Sequence, residues 1–301
     1  GGAGGGEAIA GSGAAAIMGG ASAAQRSLLA YQRGEERAAD AAALRYLEAT
    51  GQSARGMLET FRRLADQQLM SSRYADPYAL SHPVARDRLN QLETRARQSP
   101  YFDRTDPPAR QLRHDMVRAK IAAFTKHPNT ILRRYPRSDT SLPARYARAI
   151  VAYRTGNPRE AERAIDRLIR SDPDNPYFHE LKGQAWLEAG RPERAIEPLR
   201  RAVSLAPRPG LMRIMLGHAM VSTRDASLLP EAIRQLERGI AQEPNPPIAY
   251  RALGLAYHRS GKTGLADVAS ARAMMMAGNV AEAKRYAARA QRKLKRGTPG
   301  W

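Results

Sequence analysis

Glu36 and Asp40 stand four residues apart in Tyr31-Gln-Arg-Gly-Glu-Glu-Arg-Ala-Ala-Asp40. On a helix that spacing puts both carboxylates on one face, one turn apart. Taken alone, the pair reads as a solvated acidic patch on an Arg-rich helix. Its neighbours are almost all Ala, which suits a helix buried on several sides. There a carboxylate needs a partner, and a metal ion or a metal-bound histidine is one. A second candidate is Ser81-His82-Pro83-Val-Ala-Arg-Asp-Arg88, where His82 ends a loop and Arg88 lies early in the next helix. A histidine at an exposed helix entry usually has no chemical task, so spacing alone assigns it none. The absence of cysteine excludes disulfides, thiolate zinc sites and cysteine nucleophiles. His-Glu-x-x-His does not occur; the near miss His179-Glu180-Leu-Lys-Gly183 has glycine where the second histidine would stand.

The elements that must carry these residues are helical. Residues 1–25 are Gly, Ala and Ser with one acid, Glu7, and offer little to pack. From Ala24 to Ala49 the pattern is helical, with Leu28, Leu29, Leu44 and Leu47, and Gly51 is placed to stop it. A helix over 54–69 gathers Met57, Leu58, Phe61 and Leu64 on one face. Residues 71–83 read as loop, 85–98 as a helix carrying Leu89 and Leu92, and 108–125 as a helix between proline-rich joints.

The remainder repeats. Gly156 and Gly190, Pro158 and Pro192, Ala161 and Ala195, and Pro173 and Pro207 are each 34 residues apart. That is the tetratricopeptide (TPR) period, and Gly183, Trp186, Ala195, Leu199, Ala202 and Pro207 fall at its small, aromatic and proline positions. A third unit has Gly217, Met220, Ala232, Leu236 and Gly239, with three extra residues near 224–230. A fourth has Gly254, Tyr257 and Ala266; Gly278-Asn279 with Ala283 then echoes Gly156-Asn157 with Ala161, as a last atypical pair. The expected fold is all-α: residues 1–98, a helical linker over 99–141, and a TPR solenoid over 142–301. Within it Met274–Met276 is expected to pack at a repeat joint.

The 301 residues carry 49 basic and 29 acidic side chains, a formal charge of +20. Only seven of the basic residues are Lys. Arg spread over every helix reads as compositional bias, and aromatics at 6% are poor material for stacking on single strands, so nucleic acid is not expected as a partner. Residues 284–296 hold seven basic residues and no acid, a solvated terminal helix or a contact for an anionic surface. No apolar run reaches the roughly 18 to 20 residues that a membrane span needs.

Glu-x-x-Ala-Asp on an Ala-rich helix, then Gly51, a Phe-Arg-Arg-Leu helix and Ser-His-Pro-x-x-x-x-Arg-Leu, resembles the gluzincin metallopeptidases, the superfamily that includes the CaaX prenyl proteases. The TPR array behind it, with Met-Val-Arg-Ala-Lys at 116–120 and Leu-Pro-Ala-Arg-Tyr at 142–146, resembles the periplasmic branch of that superfamily. The resemblance implies that 1–98 is the C-terminal part of a metallopeptidase domain, with Glu36 the third protein ligand of a catalytic zinc and Asp40 the carboxylate that orients a ligand histidine. It implies His82 and Arg88 at the cleft, steadying the oxyanion, and His82 able to approach zinc as an inhibitory fourth ligand. It implies amide hydrolysis by a zinc-bound water, in periplasmic outer-membrane protein assembly and quality control. Unfolded or stalled outer-membrane proteins and the barrel-assembly machinery would then meet the TPR array. The missing His-Glu-x-x-His is the departure. Both chain ends read as cut, so the expectation is a fragment, inactive alone, whose zinc helix and signal peptide lie upstream. The alternative is a non-catalytic TPR adaptor whose first helices cap the solenoid.

Overall fold

The computed structural model describes residues 31, 34–69, 86–243 and 246–297, without the side chains of 67–69 and 86–88. Two compact units divide at Gln111 and Leu112. Among the described residues every regular element is helical, and no helix is long and apolar enough to cross a membrane.

In the first unit, helix α1 (34–49) ends at Gly51, whose φ of +63° is the left-handed turn that glycine tolerates best. Helices α2 (Arg55–Leu69) and α3 (Arg86–Ala96) follow. Ser53 starts α2 by accepting the Arg55 N–H at 3.1 Å, and its own hydroxyl donates to the Phe102 carbonyl. The core here is small: Ala54, Leu58, Ala65, Leu89, Leu92, Ala96 and Phe102, with Leu44, Leu47, Met57, Phe61 and Leu64 packed against it. Charge closes its edge. Glu93 accepts from Arg62 and Arg97 at 2.5 and 2.6 Å, and the Arg55 and Arg97 guanidinium groups each lie 5.1 Å from the Phe102 ring centre.

The second unit begins within α4 (Pro108–Thr125) and continues through the short α5 (Pro128–Arg134). Four hairpins come next: α6 (Leu142–Arg154) with α7 (Pro158–Ser171), α8 (Pro176–Glu188) with α9 (Pro192–Leu205), α10 (Gly210–Ser222) with α11 (Leu229–Gln242), and α12 (Pro247–Arg259) with α13 (Thr263–Met276). A last helix, α14 (Val280–Lys293), packs on α13.

Local sequence explains these boundaries. Gly156, Gly190, Gly261 and Gly278 turn within hairpins at φ of +73°, +70°, +73° and +75°. Proline in the first turn of α6 to α9, α11 and α12 fixes φ where no amide partner is lost. Asn157 accepts the Glu160 N–H at 3.2 Å, and Asn279 accepts that of Glu282 at the same distance, so the terminal echo in the sequence is a true helix start. The three extra residues of the third unit form a single 3-10 turn, Ala226–Leu228, capped by Asp225. Small residues set how closely a hairpin closes. A Cβ on Gly183 would stand 2.3 Å from Leu199 Cγ, and one on Gly239 would stand 2.9 Å from the Gly210 carbonyl oxygen.

Two expectations need correction. Met275 is 54% exposed, so the methionine run is only partly core. The basic run is not simply solvated: Asp267, 3% exposed, accepts from Arg289 at 2.6 Å and Lys293 at 2.7 Å, and those two cations tie α14 to α13. A buried carboxylate holds two of the seven charges because its desolvation demands partners.

Candidate functional site

Along α1 one stripe faces inward: Asp40 is 5% exposed, Glu36 is half-buried one turn before it, and Leu44 and Leu47 continue the line into the unit's core. Both carboxylates have interaction partners. The helix is covered on several sides only in its middle turn: Ala41, Ala42 and Ala43 are half-buried beside Asp40, while Ala38 and Ala39 are exposed and Tyr46 is 72% exposed. His82 lies outside the described residues, and of Arg88 only the backbone, in the first turn of α3, is described.

A catalytic zinc takes three protein ligands. Glu36 offers one carboxylate, and among the described residues no group of three His, Cys, Asp or Glu comes together to hold a metal. These residues on their own do not fit a zinc ion. The near-miss motif contributes none. His179 Nε2 lies 2.8 Å from the Pro173 carbonyl, Glu180 accepts from Lys120 at 2.6 Å, and Gly183 is the packing glycine against Leu199.

The second unit presents a different kind of site. Positions 2, 5, 9 and 12 of the first helix in each hairpin share a face, since they follow the i, i+3, i+7 spacing of one helical stripe. On α6 they are Pro143, Tyr146, Ile150 and Tyr153; on α12 they are Ile248, Arg251, Leu255 and His258. Exposure at these positions differs from hairpin to hairpin, and on α10 Ile214 and Val221, at positions 5 and 12, are only 3% and 2% exposed. Tyr146 and Ile150 are 2% and 0% exposed, in one cluster with Ala119, Ala122 and Ala123 of α4 and Phe178 of α8. Tyr177 and Leu211, at position 2 of α8 and α10, are 48% and 59% exposed, and all four positions on α12 are exposed. The Phe124 ring meets Tyr153 edge-on at 6.3 Å, and Lys120 Nζ stands 5.5 Å from the centre of the Tyr177 ring.

Electrostatics vary along this face. At the covered end, burial, then Glu180 and Tyr177, push the Tyr146 hydroxyl far above the usual tyrosine range, so it stays protonated. Near the open end, burial and then Arg251 hold His218 below the usual histidine pKa. No acidic residue occurs in α10 or α12. The sequence reading passed over this row, although its signal is present: Tyr177, Leu211 and Ile248 are large apolar residues at the second position of three successive first helices.

Residues 3–96 match the model of peptidase family M48, and 146–210 and 224–273 match that of the tetratricopeptide repeat. The chain is 23% identical over 278 residues to a beta-barrel assembly-enhancing protease of Yersinia pestis, covering 90% of this chain and 56% of that protein. It is 24% identical over 208 residues to that of Escherichia coli, covering 66% of this chain and 41% of that protein. It therefore spans about half, or less, of the length of the curated relatives it matches. Among solved structures the TPR protein YrrB is similar at a TM-score of 0.46 and 18% identity, over 60% of this chain and 91% of that one. The chain joins a peptidase M48 segment to TPR repeats and is distantly homologous to the beta-barrel assembly-enhancing proteases.

Proposed function

We propose that this chain is the third-ligand and client-binding portion of a zinc-dependent metalloendopeptidase of the periplasm, acting in outer-membrane protein assembly and quality control. One observation carries the reading. Asp40 is buried one turn from Glu36 on a single stripe, inside a segment that matches peptidase family M48 and precedes TPR repeats. Glu36 is the carboxylate ligand and Asp40 orients a ligand histidine. His82 and Arg88 belong at the cleft, with His82 also able to act as an inhibitory ligand. Zinc supplies a nucleophilic water when bound. The two remaining ligands and the general base come from a His-Glu-x-x-His helix that this sequence does not contain. The domain limits follow: 1–98 peptidase, 99–141 linker, 142–301 repeats. The array holds stalled outer-membrane proteins or the barrel-assembly machinery, as the names of the relatives suggest.

The coding sequence upstream of Gly1 is the first test. A His-Glu-x-x-His helix behind a signal peptide supports the reading, and a start codon close to Gly1 without one overturns it. In a protein carrying that helix, Glu36→Gln is expected to abolish zinc retention, measured as metal per chain after dialysis; unchanged zinc removes Glu36 from the ligand set. Residues 1–301 alone are expected to cleave no casein with zinc added. Chelator-sensitive cleavage contradicts that. The absence of the motif from these 301 residues favours a second reading, a non-catalytic TPR adaptor.

A further inference from the structure

The row of first-helix residues starts under a helix and is bare on α12, while α10 exposes only Leu211 of its four positions. At α6 the chain covers its own face: Ala119, Ala122 and Ala123 of α4, spaced at i, i+3 and i+4, share one buried cluster with Tyr146 and Ile150. At α12 the equivalent positions hold Arg251 and Leu255. Leu255 is 49% exposed, and Ile248, at the start of the same stripe, is 44% exposed. Leu211 on α10 continues the row toward α4, whose Val117 and Ile121, at 57% and 58% exposure, flank the Lys120 that reaches Tyr177. The apolar row is therefore continuous with an interface the chain has already made with a helix.

Charge says what kind of helix would finish the row. Along α12 the face alternates apolar and basic: Ile248, Arg251, Leu255, His258. With no acid in either α10 or α12, no carboxylate of these helices answers Arg251. The field of Arg251 is felt at His218 on the neighbouring helix, whose pKa falls with burial and then with that charge. Next to Pro247, the Met275 and Met276 side chains and Arg272 line a shallow hollow of about 430 Å³, an adaptable apolar wall with one more cation.

We propose that the face formed by α10 and α12 docks an acidic amphipathic helix of a partner protein, its apolar side on Leu211, Ile248 and Leu255 and its carboxylates toward Arg251 and His258. This rests on reading the array as a protein-binding module, and is independent of zinc. Apolar burial supplies the affinity and complementary charge sets orientation and on-rate, so binding weakens as salt rises.

A phage-displayed library of random 16-residue peptides selected on residues 1–301 tests this. The expected winners are net acidic, carry Leu, Ile or Phe at i, i+3 or i+4 spacing, and gain helical circular dichroism on binding. Affinity of a synthesised winner is expected to fall about tenfold or more in Arg251→Glu and in Leu255→Asp, each near 1.4 kcal/mol or above. Both sites are exposed, so thermal melts of the variants should match the parent, and a charge-reversed Lys peptide should not bind. Basic or uncharged winners, or a peptide that binds extended, overturn the inference. Binding that survives both substitutions leaves the array a protein-binding module and overturns this face as its site. A library that enriches nothing overturns both. Self-association by sedimentation that Leu255→Asp abolishes would make a second copy the occupant, and also overturns it.

Discussion

The joint between the first and second hairpins and the joint between the second and third lie one repeat apart and are built from different chemistry. In the later joint Ile196, Leu216 and Met220 are 8%, 1% and 0% exposed, and all belong to one core with α9 to α13. Thirty-four residues earlier the same positions hold Glu162, Lys182 and Trp186. There Lys182 pairs with Asp166 at 2.8 Å, Glu162 pairs with Arg194 at 2.8 Å, and the Arg194 guanidinium lies 3.6 Å from the Trp186 ring centre. The pairs bridge a cleft of about 530 Å³ walled by Ala161, Ile165 and Ala185. The apolar core divides at this point. Phe178 and Leu181 of α8 belong with α4 to α7, and Trp186 belongs with the later helices. The TPR signature fixes packing inside a hairpin, as Gly183 against Leu199 shows, while positions between hairpins can be dry or ionic. An ionic joint in high dielectric gives up little when it opens; a dry one exposes apolar surface.

The sharpest way to break that contrast is to exchange the two chemistries. Leu216→Lys puts an unpaired ammonium at a position 1% exposed and is expected to cost about 3–5 kcal/mol. Lys182→Leu removes an ion pair whose side chains are 26% and 32% exposed at an open cleft, and is expected to change stability by less than about 1 kcal/mol. Urea unfolding followed by far-ultraviolet circular dichroism and, in a Trp301→Phe background, by Trp186 emission reads both, and agreement of the two probes tests whether the array unfolds as one unit. Equal costs would mean the joints do not differ. A gentler pair uses size alone. Ala219→Leu overfills a fully buried site and should destabilise by about 1–3 kcal/mol. Ala185→Leu, its equivalent 34 residues earlier, enters the cleft and should stabilise by about 0.5–1.5 kcal/mol. The opposite signs are the check; the same sign in both would show that the cleft is not free to be filled.

Much of this architecture was legible because a repeat states its own rules. Gly183, Ala195 and Leu199 could be assigned to packing from their period, and Gly278-Asn279 to a helix start, because these are local properties of a turn or a contact within one hairpin. What the period could not carry was relation to elements outside it. Ile150 and Leu255 are both apolar at position 9 of a first helix, yet one is buried and the other exposed, and Ile150 shares its cluster with α4, which precedes the repeats. Asp40 was legible as one of two carboxylates on a face, and its burial follows from sharing the stripe of Leu44 and Leu47. The Ala-rich composition around it was a partial guide, since Ala41, Ala42 and Ala43 are half-buried while Ala38 and Ala39 are solvated. Alanine is as compatible with an exposed helix as with a buried one. The basic run near the end gave no hint of Asp267, because a buried partner 22 residues away leaves no mark in local charge spacing.

The smallest effect separates the two joints by pH. Position 9 of α10 is the half-buried His218, and position 9 of α8 is Gln184, which does not titrate. Burial and then Arg251 lower the pKa of His218 in the folded chain, so between that value and the ordinary 6.5 the unfolded chain binds more protons. The contribution is complete above pH 6.5 and is lost as pH falls through the folded value, so the α10 joint weakens there. Glu93, Asp139 and Asp225 also have lowered pKa values, through hydrogen bonds from Arg62, Ser141 and Ser227 respectively, but their loss lies below pH 4.5 and stays separate. The urea midpoint is expected to decline just below pH 6.5, with a slope that His218→Gln removes and Arg251→Gln makes shallower. A slope unchanged in His218→Gln would place the titration elsewhere. Because a carboxylate docked on Arg251 would favour the imidazolium, saturating acidic peptide should also shrink the decline, which ties this weakest signal to the occupancy of the open face.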